Sequence, residues 1–319
     1  MASAPQHNTS GDSKAGLISG MAAYLMWGLF PIYFVAMKHV PATELVSYRI
    51  VWSIPFGFLI LLFRKEITET FRALKHPKTL LLLAISAIAI AVNWGVYIWA
   101  IQQDQIFQAS LGYYINPLLY VLVGVVFFKE RLSLLQGFAI ACAFVGVTIL
   151  TIKGGVFPSM SLFLAASFTV YGVLRKQIAI GAMPGLFIEV LVLLLPALVF
   201  LWVLNSRGDL SLGAFDTKTD ILIILTGPLT VLPLLAFAFA ARRIKFSTLG
   251  ILQYIGPTLQ FVCGIYYGQA FTPAYAWCFG FIWLGVGLFA FDAIRISKNS
   301  TRLAAQIKNQ QRDLHPDSQ

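Results

Sequence analysis

The sequence predicts an all-α polytopic membrane protein: ten transmembrane helices built as two inverted five-helix repeats. Three observations carry that prediction. Apolar stretches of about 20 residues recur along nearly the whole chain, each long enough to cross a hydrocarbon core of roughly 30 Å. Of the 319 residues 58% are hydrophobic and only 11% charged, where a soluble domain carries about 25% charged residues. Finally, a proline-centred motif occurs twice at identical internal spacing, in spans that cross in opposite directions.

The spans fall at about 16–37, 43–63, 79–101, 106–128 and 132–152, then at about 157–174, 184–204, 220–241, 244–267 and 273–294. Residues 1–15 form a polar head, expected to lack order and to lie in the cytoplasm. It is not a signal peptide, because the apolar run after Lys14 is too long and has no small-residue cleavage site. The tail 296–319 is polar with mixed charge and reads as a solvated cytoplasmic extension. The formal charge of +10 does not point to nucleic acid, because the basic residues lie in short clusters between spans. One side carries Lys14, Arg64, Lys65, Arg72, Lys75, Lys78, Lys129, Arg131, Arg175, Lys176, Arg242, Arg243 and Lys245. The other has only Lys38, Lys153, Arg207 and Lys218. The positive-inside rule therefore puts both termini in the cytoplasm, as an even number of spans requires.

Tyr114-Ile115-x-Pro117-x-Leu119, with Gly124 after it, returns as Tyr254-Ile255-Gly256-Pro257-x-Leu259, with Gly264 after it. Trp27-Gly28 in span one is echoed by Tyr171-Gly172 in span six, and Pro41 to Glu44 more loosely by Pro184 to Glu189. Five spans per copy is an odd number, so the second copy (156–295) is inverted relative to the first (16–152). Inverted repeats in transporters place the solute near the bilayer midplane between the halves. Proline inside a helix removes a hydrogen bond and costs roughly 3 kcal/mol. The freed carbonyl is tolerable where it faces protein or a wet cavity. Proline and glycine also serve close packing in membrane helices, but a matched pair in inverted halves favours a kinked cavity wall.

Charged groups inside the hydrocarbon zone are costly and mark function by default. Arg49, two turns into span two, suits a carboxylate through its bidentate fork; the plainer reading has it snorkelling, or paired with Glu44 or Asp104. Glu189 is the carboxylate clearly inside a span and a candidate proton carrier for coupling, as is Glu44. The plainer reading of Glu189 is an interfacial carboxylate held by Arg175 or Lys176, and Glu130 reads as a corner clamp between spans four and five. Asn93, Trp94 and Tyr97 sit at helical spacing. Tyr113, Tyr114 and Asn116 surround Pro117; Gln253 and Tyr254 precede Pro257. Together they make an aromatic chamber dotted with amides, as small-solute pockets are, although Trp and Tyr also anchor interfaces.

Enzymatic chemistry finds little support. The sequence has no Gly-rich phosphate loop, its four histidines lie in tails or loops, and its three cysteines have no metal-ligand spacing. No cofactor is expected; the partners are a small-molecule solute, the lipid bilayer and a proton as coupling ion. A membrane enzyme would show clustered His and Asp at one face, and a scaffold would need no polar groups at matched depth.

Six stretches, in order from about residue 15 to 295, carry a resemblance: LISGMAAYLMWGLFPIYF, ELVSYRIVWS, NWGVYIWAI, SLGYYINPLLYVLVGVVFFKERL, SFTVYGVLRK and ARRIKFSTLGILQYIGPTLQF. They resemble RarD, a bacterial branch of the EamA-type permeases in the drug/metabolite transporter superfamily. The resemblance implies ten helices in two inverted repeats around a central cavity, an inner-membrane location, and transport of small metabolites or drugs, with a "chloramphenicol-sensitive" name in the branch. Tyr48 stands where the pattern has histidine, and Gln269-Ala270 where a glutamate echoes Glu130.

Overall fold

A computed structural model describes residues 9–129, 133–155, 157–241, 243–244 and 246–314. All regular elements among the described residues are α-helices. In chain order they are α1 (Thr9–Gly28), α2 (Phe30–Val35), α3 (Ala42–Arg64), α4 (Ile67–Leu74), α5 (Pro77–Gln102), α6 (Ile106–Phe128) and α7 (Leu134–Gly154), then α8 (Ser159–Gln177), α9 (Ala182–Arg207), α10 (Thr217–Ala241), α11 (Phe246–Leu252), α12 (Ile255–Tyr266) and α13 (Pro273–Leu314). Among the described residues nine stretches are long and apolar enough to cross a membrane. They match nine of the ten expected spans. The sixth corresponds to α8, which is more polar; its buried Ser161 and Thr169 hydroxyls donate to the Gln108 carbonyl (2.7 Å) and to Asn116 Oδ1 (2.9 Å) on α6.

The outer faces are apolar. Phe63, Leu134, Ile152, Trp202 and Tyr266 are each at least 69% exposed, far more contiguous apolar surface than a water-soluble protein carries. The interior holds the polar groups instead, among them Glu44, Arg49, Ser53, Ser86, Asn93, Glu189 and Thr230.

Chain breaks and chain ends follow local chemistry. The first span divides at Leu29, where Pro31 opens α2; a proline is tolerated there because first-turn amides have no helical partner. Ser133 caps α7 in a capping box with Gln136, and its hydroxyl also donates to Asp292 Oδ2 at 2.8 Å, fastening the start of α7 to α13. Lys65 and Lys129 close α3 and α6 in the left-handed region. One expectation at the termini changes: α1 begins at Thr9, inside the head expected to lack order; the polar tail, for which no conformation was expected, is helical as α13 continues to Leu314. Residues 1–8 and Glu130 lie outside the described residues.

Small residues set the helix pairs. A methyl group at Gly227 of α10 would strike the Trp52 carbonyl of α3, and one at Gly112 of α6 would lie 2.8 Å from the Ser161 carbonyl of α8. Between α7 and α13, Gly146 meets the Cys278 carbonyl while Gly285 meets the Ala139 carbonyl. Glycines at such points let backbones approach where lipid supplies no hydrophobic drive between helices.

The two proline motifs meet. α6 and α12 run antiparallel, with Ser110 Oγ donating to the Pro257 carbonyl at 2.8 Å and Tyr114 OH bonded to Thr258 Oγ1 at 2.7 Å. The Tyr114 and Tyr254 rings stack with centroids 6.2 Å apart. Their helices differ. Pro117 sits within an unbroken α6, whereas the chain before Pro257 breaks into α11 and α12 at Gln253–Tyr254. Pro257 cannot donate to the Gln253 carbonyl; Gly256 N takes it instead, at 3.3 Å, in a tighter turn.

Candidate solute-binding site

Five of the residues expected to bind solute come together where α3, α5 and α6 meet. Arg49 is 4% exposed. Its guanidinium lies 4.3 Å from the Trp94 ring centroid, with Phe34 at 5.8 Å and Phe30 at 5.9 Å. Tyr97 packs edge-on against Tyr113 (5.6 Å) and Phe34 (6.1 Å). Asn93, one turn before Tyr97 on α5, donates to the Leu164 carbonyl (3.0 Å) and Ser167 Oγ (2.9 Å) of α8. Three tyrosines, Tyr33, Tyr97 and Tyr113, lie within electrostatic reach of the guanidinium.

The hydrogen bonding here is incomplete. Arg49 Nε donates to Thr230 Oγ1 of α10 at 3.0 Å, and the Thr230 hydroxyl donates in turn to the Thr226 carbonyl at 2.7 Å. Among the described residues Arg49 has no carboxylate within 4.0 Å, so neither Glu44 nor Asp104 is its partner. Glu44 instead accepts from the Ser211 amide and hydroxyl, both at 2.7 Å, and Asp104 pairs with Lys38 at 2.5 Å. Among the described residues Tyr97 OH and Asn93 Oδ1 are buried without a partner. Desolvating one charge costs several kcal/mol, whereas a cation–π contact returns about 2 kcal/mol and a hydrogen bond to a charged group about 1.5–3 kcal/mol. Trp94 and Thr230 together return an amount of the same order as that cost, but among the described residues no counter-charge neutralises Arg49.

The remaining expected residues lie elsewhere. Asn116 pins α6 to α8 through Thr169. Tyr114 and Tyr254 form the stacked pair at the proline crossing, and among the described residues the buried Tyr254 hydroxyl has no partner. Pro117, Tyr120, Gly124, Lys176 and Gln253 line a cavity of about 380 Å³ toward the end where α6 and α8 finish. A second cavity of about 360 Å³, at the other end beside Asp104, Gln105 and Gln269, contains none of the expected solute-binding residues. The sequence reading missed Thr230, Tyr33, Phe30 and Phe34 around Arg49; Thr230 had a faint signal, lying with Thr226 one turn apart on a proline-bearing span.

Comparison with known proteins settles the family. The profile of the EamA-like transporter family matches residues 14–152. An uncharacterized transporter of Vibrio cholerae is 40% identical over 91% of this chain and 97% of its own. Protein RarD of Escherichia coli is 35% identical over 91% of this chain and 98% of its own. This chain belongs to the RarD-type branch of the EamA-like transporter family. A solved crystal structure, 17% identical with a TM-score of 0.59, covers 88% of the transporter and 98% of its own chain, which speaks for a shared fold alone. The transporter is thus a multi-pass membrane protein of a kind that binds small solutes and lipid.

A second polar cluster in the transporter surrounds Glu189. Its Oε1 accepts from Ser86 Oγ at 2.6 Å and lies 3.7 Å from Arg175 Nη1; its Oε2 accepts from Tyr171 OH at 3.3 Å. Arg175 also reaches the Gly181 and Ala182 carbonyls at 3.4 Å, tying the end of α8 to the start of α9. The contact expected of an interfacial carboxylate is therefore present. Arg49 is the eighth residue of α3 and Glu189 the eighth of α9.

Proposed function

We propose that the protein is a secondary transporter that exports a small metabolite or drug-like solute from a bacterial cytoplasm, by alternating access around a chamber near the membrane midplane. The units that rock are residues 16–152 and 156–295, inverted relative to each other, with α8 as the tenth crossing and both termini cytoplasmic. The observation that carries this reading is contact between counterpart residues. Tyr114 and Tyr254 hold the same place in the two motifs, and they stack on each other. Residues related by a two-fold axis touch their own counterparts only beside that axis. The α7–α13 pair agrees: Gly146 on Cys278 and Gly285 on Ala139 form one contact made twice, because Gly146 and Gly285, like Ala139 and Cys278, lie 139 positions apart.

Export is supported by the cavity that reaches Pro117 from the end bearing Lys176, whereas the cavity at the other end touches none of the expected solute-binding residues and the units are joined there by Glu44–Ser211 and by Tyr33 OH donating to the Leu222 carbonyl. A solute would load from the basic, cytoplasmic side. Glu189 is the residue assigned to proton coupling, because its carboxylate is fully buried and is held by groups that titration would release.

The test is a proteoliposome survey of labelled amino acids, small peptides, amphenicols and organic acids, with and without a pH gradient. Asn93→Ala and Tyr254→Phe are each expected to cut flux at least tenfold. Among the described residues the Tyr254 hydroxyl has no partner, so its loss should leave thermal stability unchanged or slightly raised; full flux in both variants would rule out a solute path through the Asn93 cluster and the proline crossing. Glu189→Gln should keep downhill exchange and lose the response to a proton gradient. A response that persists removes Glu189 from coupling.

A further inference from the structure

The geometry points to a carboxylate-bearing organic anion as the solute that Arg49 receives, a substrate class that rests on the transporter reading above and sharpens it. Arg49 stays charged in proteins and is almost fully enclosed, yet among the described residues its one hydrogen bond leaves from Nε. The two terminal nitrogens carry no hydrogen bond, leaving both arms of the fork unused. Carboxylates elsewhere in the interior are engaged: Glu44 with Ser211, Glu189 with Ser86, Tyr171 and Arg175. The charge that would balance Arg49 is thus not supplied by the described chain.

Three further features fit an arriving carboxylate better than a simple ion. Thr230, fixed by its own bond to the Thr226 carbonyl, holds the Nε edge and so presents the outer edge of the guanidinium, the edge that pairs with two carboxylate oxygens. The unpartnered Tyr97 hydroxyl and the Asn93 carbonyl oxygen lie on the neighbouring α5 face, one able to donate to an oxyanion and the other to accept from a solute N–H or O–H. The surrounding rings of Trp94, Phe30, Phe34 and Tyr113 give an apolar body a matching wall. Arg49 is enclosed in this arrangement, so the solute enters when the two units rock apart.

Binding can be read without transport. Purified protein in detergent would be titrated with acetate, benzoate, indole-3-acetate and N-acetylphenylalanine, with the matched amides and with chloride, following both thermal unfolding and tryptophan fluorescence, to which Trp94 contributes. At least one aromatic carboxylate is expected to raise the melting temperature by several degrees and quench fluorescence, with its amide at least tenfold weaker. Arg49→Gln should abolish the difference between acid and amide, and Arg49→Lys should restore part of it. Should Arg49→Gln not fold, Thr230→Val tests the same point: it keeps the charge, loses the bond that orients it, and should weaken binding several-fold. No preference for any acid over its amide, an equal response to chloride, or unchanged binding in Arg49→Gln or Thr230→Val would overturn the proposal. The two readings fail separately. Flux of neutral or cationic solutes without carboxylate binding would keep the transporter and remove the anion site; carboxylate binding with no flux of any solute would do the reverse.

Discussion

Gly227→Ala is expected to destabilise the protein by about 2 kcal/mol. The added methyl would fall on the backbone carbonyl of Trp52 and 2.7 Å from its Cβ. A backbone atom cannot rotate aside as a side chain can, so α3 and α10 must separate. Overpacking of this kind costs roughly 1–3 kcal/mol, and the clash belongs at the upper end. Against it stands the gain of about 1 kcal/mol that alanine brings to a helix over glycine. The penalty wins, and it falls on the pair of helices that brings Thr230 to Arg49. Gly280→Ala is the control: among the described residues nothing lies within 4 Å of its added methyl, so only the helix gain applies. Thermal unfolding in detergent should show Gly227→Ala several degrees below the parent and Gly280→Ala at or above it. Equal melting temperatures for the two variants would mean that α3 and α10 are not in contact there.

Arg175→Ala should cost about 3 kcal/mol, the lower end of what breaking a buried ion pair costs when the partner charge stays behind. Glu189 is 1% exposed and Arg175 16% in their side chains, so solvent screens the pair weakly. The variant also loses the two 3.4 Å bonds to the Gly181 and Ala182 carbonyls. Adding Glu189→Gln removes the stranded charge and keeps one acceptor oxygen for Ser86, while its amide NH2 can donate to the Tyr171 hydroxyl oxygen, so the double variant should recover most of the loss. A double variant no more stable than Arg175→Ala would show that Glu189 does not depend on Arg175 for its charge balance.

The spans were legible because hydrocarbon imposes one rule on length and polarity, and the paired prolines because their spacing repeats. Asn93, Trp94 and Tyr97 were legible as a group because helical spacing puts them on adjoining faces. The partner of Arg49 was not. Thr230 is 181 positions away, and only the packing of α10 on α3, permitted by Gly227, brings it near. Nor does the sequence tell Pro117 from Pro257. Asn116, bonded by Thr169, steadies α6 from the side, while Gly256 has no side chain to hold and lends its amide to the Gln253 carbonyl. The sixth span was legible from its length although α8 is more polar than the others; what no local window contains is the partner on α6 that Ser161 and Thr169 each reach.

Arg49 and Glu189 occupy the same rank in α3 and α9. If the two units of this permease were chemically alike, exchanging their conformations would regenerate the same structure facing the opposite side, and both orientations would be equally populated at rest. A cation in one unit against an anion in the other removes that degeneracy. On the alternating-access mechanism proposed above, a carboxylate on Arg49 or a proton on Glu189 would each tilt the balance between orientations in its own direction, and the unlike pair would set a preferred resting side without any separate lock.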